Sequence, residues 1–164
     1  DELDNIENYF LIQQYRFGER LQLEVVCDEG DRAELLRCRI PKLTLQPIVE
    51  NSIVHGVERK IGRGNLRIKL EGTAKRLIIT VSDDGLGMEQ QALDQLNGQL
   101  AVTRLDYVRA DAERQGGIAL VNVNNRIKLL FGEQYGLCIY STPGVGTDVE
   151  ITLPRTTRDA KVTG

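Results

Sequence analysis

Four short segments hold residue types able to do chemistry. In the run Leu45-Gln46-Pro47-Ile48-Val49-Glu50-Asn51-Ser52-Ile53-Val54-His55-Gly56, Asn51 and His55 lie four apart and on a helix share one flank. An amide oxygen can ligate Mg²⁺, and an imidazole can hydrogen-bond a phosphate. The same pair also reads as a half-buried polar residue and a favourable charge near a helix C-terminus. Asp83-Asp84-Gly85-Leu86-Gly87-Met88 follows an apolar strand pattern. Asp83 stands where that strand emerges, and its carboxylate can accept from an exocyclic amine. Gly85 and Gly87 let the backbone approach a flat ring or turn sharply. A turn with solvated acids is the plainer alternative; two adjacent acids could also hold a metal, though no further ligand cluster is visible nearby. Gln115-Gly116-Gly117-Ile118-Ala119-Leu120 opens a helix, whose free N–H groups suit phosphate oxygens. It is neither GxGxxG nor GxxxxGK[ST], so neither of those phosphate-binding mechanisms applies. Gly144-Val145-Gly146-Thr147 lies between two strands. It is either a hairpin turn or a place from which Thr147 offers a hydroxyl to a ligand.

These segments need elements to position them. Leu3, Ile6, Phe10 and Phe17 recur at helical spacing, which predicts a helix over 2–17 that stops at Gly18. Residues 21–26 alternate and then turn apolar, a strand pattern; 28–37 reads as a polar loop. Pro41 precedes a helix over about 43–57, with Leu45, Ile48, Val49, Ser52 and Ile53 on one face. Strands over 66–71 and 76–82 form a hairpin through Gly72-Thr73-Ala74-Lys75. A short helix over 89–96 precedes 97–115, whose weak periodicity and many charges predict a mobile segment with some helix. A helix over 116–131 and strands over 138–141 and 147–153 complete the order, followed by a polar tail. Helices and hairpins mix without regular βαβ alternation. That predicts an α+β fold, a two-layer sandwich of a mostly antiparallel mixed sheet with helices on one face.

At 164 residues the chain fits one domain with a real core. Lys and Arg number 21 against 24 Asp and Glu, a net charge of −3, so charge-driven nucleic-acid binding is excluded. No apolar run approaches the roughly 20 residues of a spanning helix, and no signal-peptide pattern opens the chain. Cys27, Cys38 and Cys138 are odd in number and lack CxxC spacing, which fits a reducing compartment. One histidine, His55, rules out a multi-His metal site. The absence of an initiator Met predicts a fragment of a longer protein.

The order of the four segments is more specific than any one of them. An Asn-bearing helix, then D-x-G-x-G after a strand, then a Gly-rich helix start, then G-x-G-T before a last strand resembles the Bergerat ATP-binding fold. That superfamily holds gyrase, heat-shock chaperones, histidine kinases and mismatch-repair ATPases, and the likeness spans about residues 43–154. Ile6-Glu7-Asn8-Tyr9-Phe10-Leu11-Ile12-Gln13 with Arg16-Phe17-Gly18, followed by Leu45-Gln46-Pro47-Ile48-Val49-Glu50-Asn51, is similar to the catalytic domain of LytS-like sensor histidine kinases. It extends the likeness to about residues 6–154.

The resemblance implies an ATP-binding catalytic domain over 1–155, an ATP lid at about 97–116 and a tail at 156–164. Asn51 would hold Mg²⁺ and His55 would contact phosphate, the two taken as the catalytic pair. Asp83 would bind the adenine amine, with Gly85 and Gly87 under the ring and Thr147 beside them. Gly117, Ile118 and Leu120 would begin the phosphate-facing helix. The pattern departs from the family at Val54, usually Lys, and at Ala119, usually a second Gly. Pro47 stands where hydrolytic members carry a water-activating Glu, so efficient hydrolysis is disfavoured; Glu50 is expected to hydrogen-bond backbone or a neighbouring Arg instead. His55 cannot easily serve both as a binding group and as an in-line acceptor. The implied acceptor is a histidine upstream of this chain, beside a dimerising helix, from which the phosphoryl group passes to an aspartate of a response regulator. The implied setting is the cytoplasmic part of a membrane-associated homodimer in the bacterial inner membrane. An anti-sigma-factor-like serine kinase and a non-catalytic nucleotide-binding or interaction module are the alternatives.

Overall fold

The computed structural model describes residues 3–5, 12, 21–27, 30, 32–41, 44–55, 64–101 and 117–155. Strand β1 is Leu3–Asn5 and β2 is Leu21–Cys27; a short helix α1, Arg32–Leu36, leads to β3, Arg39–Pro41. Helix α2 is Leu45–His55, followed by β4, Gly64–Gly72, and β5, Arg76–Asp83. Helices α3, Gln90–Leu100, and α4, Gly117–Phe131, precede β6, Gly136–Thr142, and β7, Gly146–Pro154. The main sheet runs β2-β4-β5-β7-β6. Only the β2–β4 pairing is parallel within it; β4–β5, β5–β7 and β6–β7 are antiparallel. The expected α+β class with a mostly antiparallel mixed sheet is what the chain adopts.

Register explains the core. Ile139, Val149, Val81 and Ile68 stand side by side across four strands, and Leu137, Ile151, Ile79 and Leu70 form the next rung. All but Leu137 are buried. Alternation sends these side chains to one face, while Asn65, Arg67, Lys69 and Glu71 on β4 face water. The helices cover the apolar face with Leu45, Ile48 and Val49 from α2, Leu93, Leu96 and Leu100 from α3, and Leu120, Val123 and Ile127 from α4. Each fully buried aliphatic side chain is worth about 1.5–3 kcal/mol relative to exposure.

The strand β6 lies at the sheet edge, and side-chain amides close it. Asn97 of α3 donates to Ile139 O at 2.9 Å and accepts from Ile139 N at 3.2 Å. Asn124 of α4, fully buried, accepts from Leu137 N at 2.9 Å and donates to Leu100 O at 2.7 Å. Two asparagines thus satisfy the outward-facing groups that a further strand would have paired. Gly136 (φ +140°) is needed there, because a Cβ would strike Asn124 Oδ1.

Three local expectations change. Leu3–Asn5 is a strand antiparallel to Arg39–Pro41, so the predicted helix over 2–17 does not begin at residue 2. Pro41 lacks a donor, and the β1–β3 pair is a two-stranded sheet of its own, where such a residue is tolerated. Ile12 is helical, and the rest of that predicted helix lies outside the described residues. The polar run 28–37 contains helix α1, whose Leu35 is fully buried. Helix α3 runs to Leu100 rather than 96, because Leu93, Leu96 and Leu100 continue one buried face. Residues 97–100 of the expected lid are therefore its last turn; 102–116 lie outside the described residues, as does the tail 156–164.

Replacing Asn124 with Leu keeps the branched four-atom shape but leaves a buried N–H and C=O without these partners. We expect Asn124→Leu to lower the unfolding free energy by roughly 2–4 kcal/mol, read as a lower urea midpoint. Exposed Asn122→Leu, on the same helix, should leave that midpoint within about 0.5 kcal/mol.

Candidate functional site

One rung beyond the apolar ladder, the inner face of the sheet becomes polar. Ser141, Thr147 and Asp83 stand side by side on β6, β7 and β5, with Leu66 next on β4. Asp83 is only 8% exposed. Its carboxylate accepts from Gly85 N at 3.0 Å, and the Ser52 hydroxyl and the Thr147 N–H beside it favour its charged form. Burial pushes its pKa above the ordinary carboxylate value, and Asp84 adds to the rise; those three donors oppose it. A carboxylate has about four lone-pair sites, so the bond from Gly85 N leaves acceptor directions for a ligand donor. The plain-turn reading of Asp83 as a solvated acid does not hold.

Ser52 links this carboxylate to α2. It is buried, as its place among Leu45, Ile48 and Val49 predicts, but its bond to Asp83 is not readable from the helical wheel. Asn51 precedes it and is half-buried. His55 is the last residue of α2, and its side chain lies outside the described residues, as does that of Val54. Glu50 accepts from the Gln46 amide at 3.1 Å, one turn back on α2. Pro47 sits in the first turn of the helix, where proline is tolerated.

The glycines act through close approach. Gly87 has φ +73°, and a Cβ there would strike the Thr142 carbonyl. Gly146 has φ +146°, and a Cβ there would strike the Asp83 carbonyl. Gly144 N donates to Leu86 O at 2.7 Å, so the β6–β7 turn is docked on the loop after Asp83. Gly85 is buried in that loop. Gly117 and Ile118 begin α4, which packs against α2; their side chains lie outside the described residues. Leu120 is 1% exposed and belongs to the core, so its contribution to a ligand is confined to the N–H of the first helical turn.

Asp84 has a different role from Asp83. Its two oxygens accept from Asn65 N at 3.0 Å and Asn65 Nδ2 at 2.8 Å, which clamps the ends of β4 and β5. The adjacent acids therefore do not converge as a metal pair, and the described residues contain no group of three His, Cys, Asp or Glu able to hold a metal. On the outer face of the sheet a shallow cavity of about 320 Å³ lies over this clamp, with Glu24, Arg67 and Ser82 in its wall. Glu24 and Arg67 pair across it at 3.4 Å.

A polar rung, a buried acid and a half-buried amide on the facing helix are gathered at one end of the sheet. The profile of the family described as histidine kinase-, DNA gyrase B-, and HSP90-like ATPase matches residues 40–157. The chain belongs to this family. It is 36% identical to the sensor histidine kinase YesM of Bacillus subtilis (strain 168) over 154 residues, which cover 94% of this chain and 23% of YesM. It is 34% identical to the sensor histidine kinase YpdA of Escherichia coli (strain K12), over 93% of this chain and 24% of YpdA. The chain thus spans about a quarter of the length of these curated relatives. Among solved structures, the catalytic domain of histidine kinase ThkA superposes with a TM-score of 0.60, covering 95% of this chain and 99% of that one, at 13% identity. The histidine kinase domain of the blue-light activated histidine kinase of Erythrobacter litoralis EL346 gives 0.55, covering 94% and 69%, at 16% identity. These two likenesses establish the fold, which is that of histidine kinase catalytic domains.

The direction of the Asp83 shift has a measurable consequence. A carboxylate whose pKa is raised by folding favours the folded state only while it is protonated. Below the ordinary carboxylate value both states hold the proton. As pH rises from the ordinary value to the folded value, the unfolded chain ionises freely while the folded chain resists holding a buried charge. Stability of the native chain relative to Asp83→Asn should therefore fall as pH rises from about 3 to about 7, measured as the difference in Tm between the two at each pH. A flat difference contradicts the burial of the charge.

Proposed function

We propose that this chain is the ATP-binding catalytic part of a sensor histidine kinase, holding ATP with Mg²⁺ between helix α2 and the Asp83 rung. The observation that carries this reading is the buried Asp83 carboxylate beside Ser52 of α2, with half-buried Asn51 next to it in the helix. Helix α2 would then offer an amide for the metal and the end of β5 an acid for the base. Asp83 would accept from the adenine amine along a remaining lone pair. Gly85 and Gly87 would carry the backbone under the ring, and Thr147 would flank it. Asn51 would hold Mg²⁺ through its amide oxygen; Mg²⁺ keeps several waters and takes few protein ligands beside phosphate oxygens, so one amide suits it. When bound, the ion neutralises charge on the phosphate oxygens. His55 and the N–H groups of Gly117, Ile118 and Leu120 would contact the phosphates.

In the longer protein, an upstream histidine would attack the γ-phosphorus in line. The P–N bond would form as the bond to the β,γ-bridging oxygen breaks and ADP leaves. The phosphoryl group would then pass to an aspartate of a response regulator. Pro47 supports transfer over hydrolysis, since no carboxylate stands at that position to activate water. The longer protein would be a membrane-associated homodimer with this part on the cytoplasmic side. Among the described residues no helix is long and apolar enough to cross a membrane.

Calorimetry tests the site. Saturable ATP–Mg²⁺ binding is expected, weakened at least about tenfold in Asn51→Ala and in Asp83→Asn. No heat at millimolar nucleotide would overturn the reading. Transfer is tested in the longer protein with γ-labelled ATP. The label should be acid-labile, as phosphohistidine is, and lost in Asn51→Ala; acid-stable label would point to a serine kinase.

A further inference from the structure

The hydroxyl of Ser141 has three partners and one proton. Met88 N, which can only donate, lies 2.8 Å from Ser141 Oγ. Gly146 O, which can only accept, lies 3.0 Å away. Thr147 Oγ1 lies 2.8 Å away and can do either. Serine offers one O–H and two lone pairs. All three bonds are made together in one way only: its proton goes to Gly146 O, and one lone pair accepts from Met88 N–H. The third bond is made only if Thr147 donates into the second lone pair. In that arrangement the Thr147 proton is committed, and its oxygen turns only lone pairs elsewhere.

Thr147 stands directly beside Asp83 in the register, on the same face of the sheet. The rung consequently presents two neighbouring acceptors, a carboxylate and a hydroxyl oxygen whose proton is already used. A 6-amino purine offers two N–H donors at this point. A 6-oxo purine offers a carbonyl oxygen and meets lone pairs with lone pairs. We propose that Ser141 is a positioning residue that fixes Thr147 as a hydrogen-bond acceptor and thereby sets the preference for a 6-amino over a 6-oxo purine nucleotide. This rests on the assignment of the Asp83 rung to the nucleobase.

The test is titration of the chain with ATP and with inosine triphosphate, each with Mg²⁺. In Ser141→Ala the Thr147 hydroxyl is free to rotate and donate to a 6-oxo group, so the ATP-over-ITP preference should shrink by about threefold to tenfold. Ser141→Thr keeps the hydroxyl and should retain the native preference. If Ser141→Ala weakens both nucleotides alike, Ser141 is only structural and the proposal falls. It also falls if Ser141→Thr loses the preference. Should Ser141→Ala not fold, Thr147→Val removes the acceptor while leaving the Ser141 bonds to Met88 and Gly146. An unchanged ratio there overturns the proposal as well. Failure of the native chain to bind ATP would instead overturn the nucleotide reading beneath it, which separates the two failures.

Discussion

A carboxylate kept out of water at the end of a strand governs this structure. The charged form of Asp83 bears the cost of desolvation, and donors oppose that cost from three directions. One comes from its own turn, one from the strand beside it, and one from the helix above. A buried acid without such donors would neutralise or disrupt its surroundings. The loop conformation after β5, the contact between α2 and the sheet, and the β7 register therefore all answer to one group. Gly146 belongs to the same constraint, since β7 can run beside Asp83 only without a Cβ there.

The edge of the sheet shows a second economy of polar groups. Asn97 and Asn124 substitute for a missing strand beside β6, and Asn124 also holds the last carbonyl of α3. The helix layer is thereby bonded to the sheet as well as packed on it. Isolated exposed ion pairs such as Lys69–Glu71 add little by comparison.

Much of this was legible in the residues themselves. Alternation in β4, β5 and β7 and the helical stripe Leu45-Ile48-Val49 set the layers, because periodicity reports which face is buried. The order of the four segments marked out Asp83, Gly85, Gly87 and Thr147, and the structure gathers these four at one end of the sheet. What escapes a linear reading is long-range pairing. Ser141 reaches Met88 across 53 residues, and Asp84 reaches Asn65 across 19. Nothing local to either residue announces such a bond. Leu3–Asn5 escapes for a related reason: three residues carry too little pattern to declare a strand, and the partner at Arg39–Pro41 decides it. In α1, one buried Leu35 within a charged run is not enough to signal a helix in advance.

The inner face of the sheet is a stack of rungs, and among the described residues only its outermost one is polar. Behind it, Ile139-Val149-Val81-Ile68 and the rung below are closed hydrocarbon that takes no part in recognising anything. Foundation and reading head are therefore separate layers of the same strands. A change confined to the Ser141 and Thr147 hydroxyls leaves the hydrocarbon rungs behind them as they are.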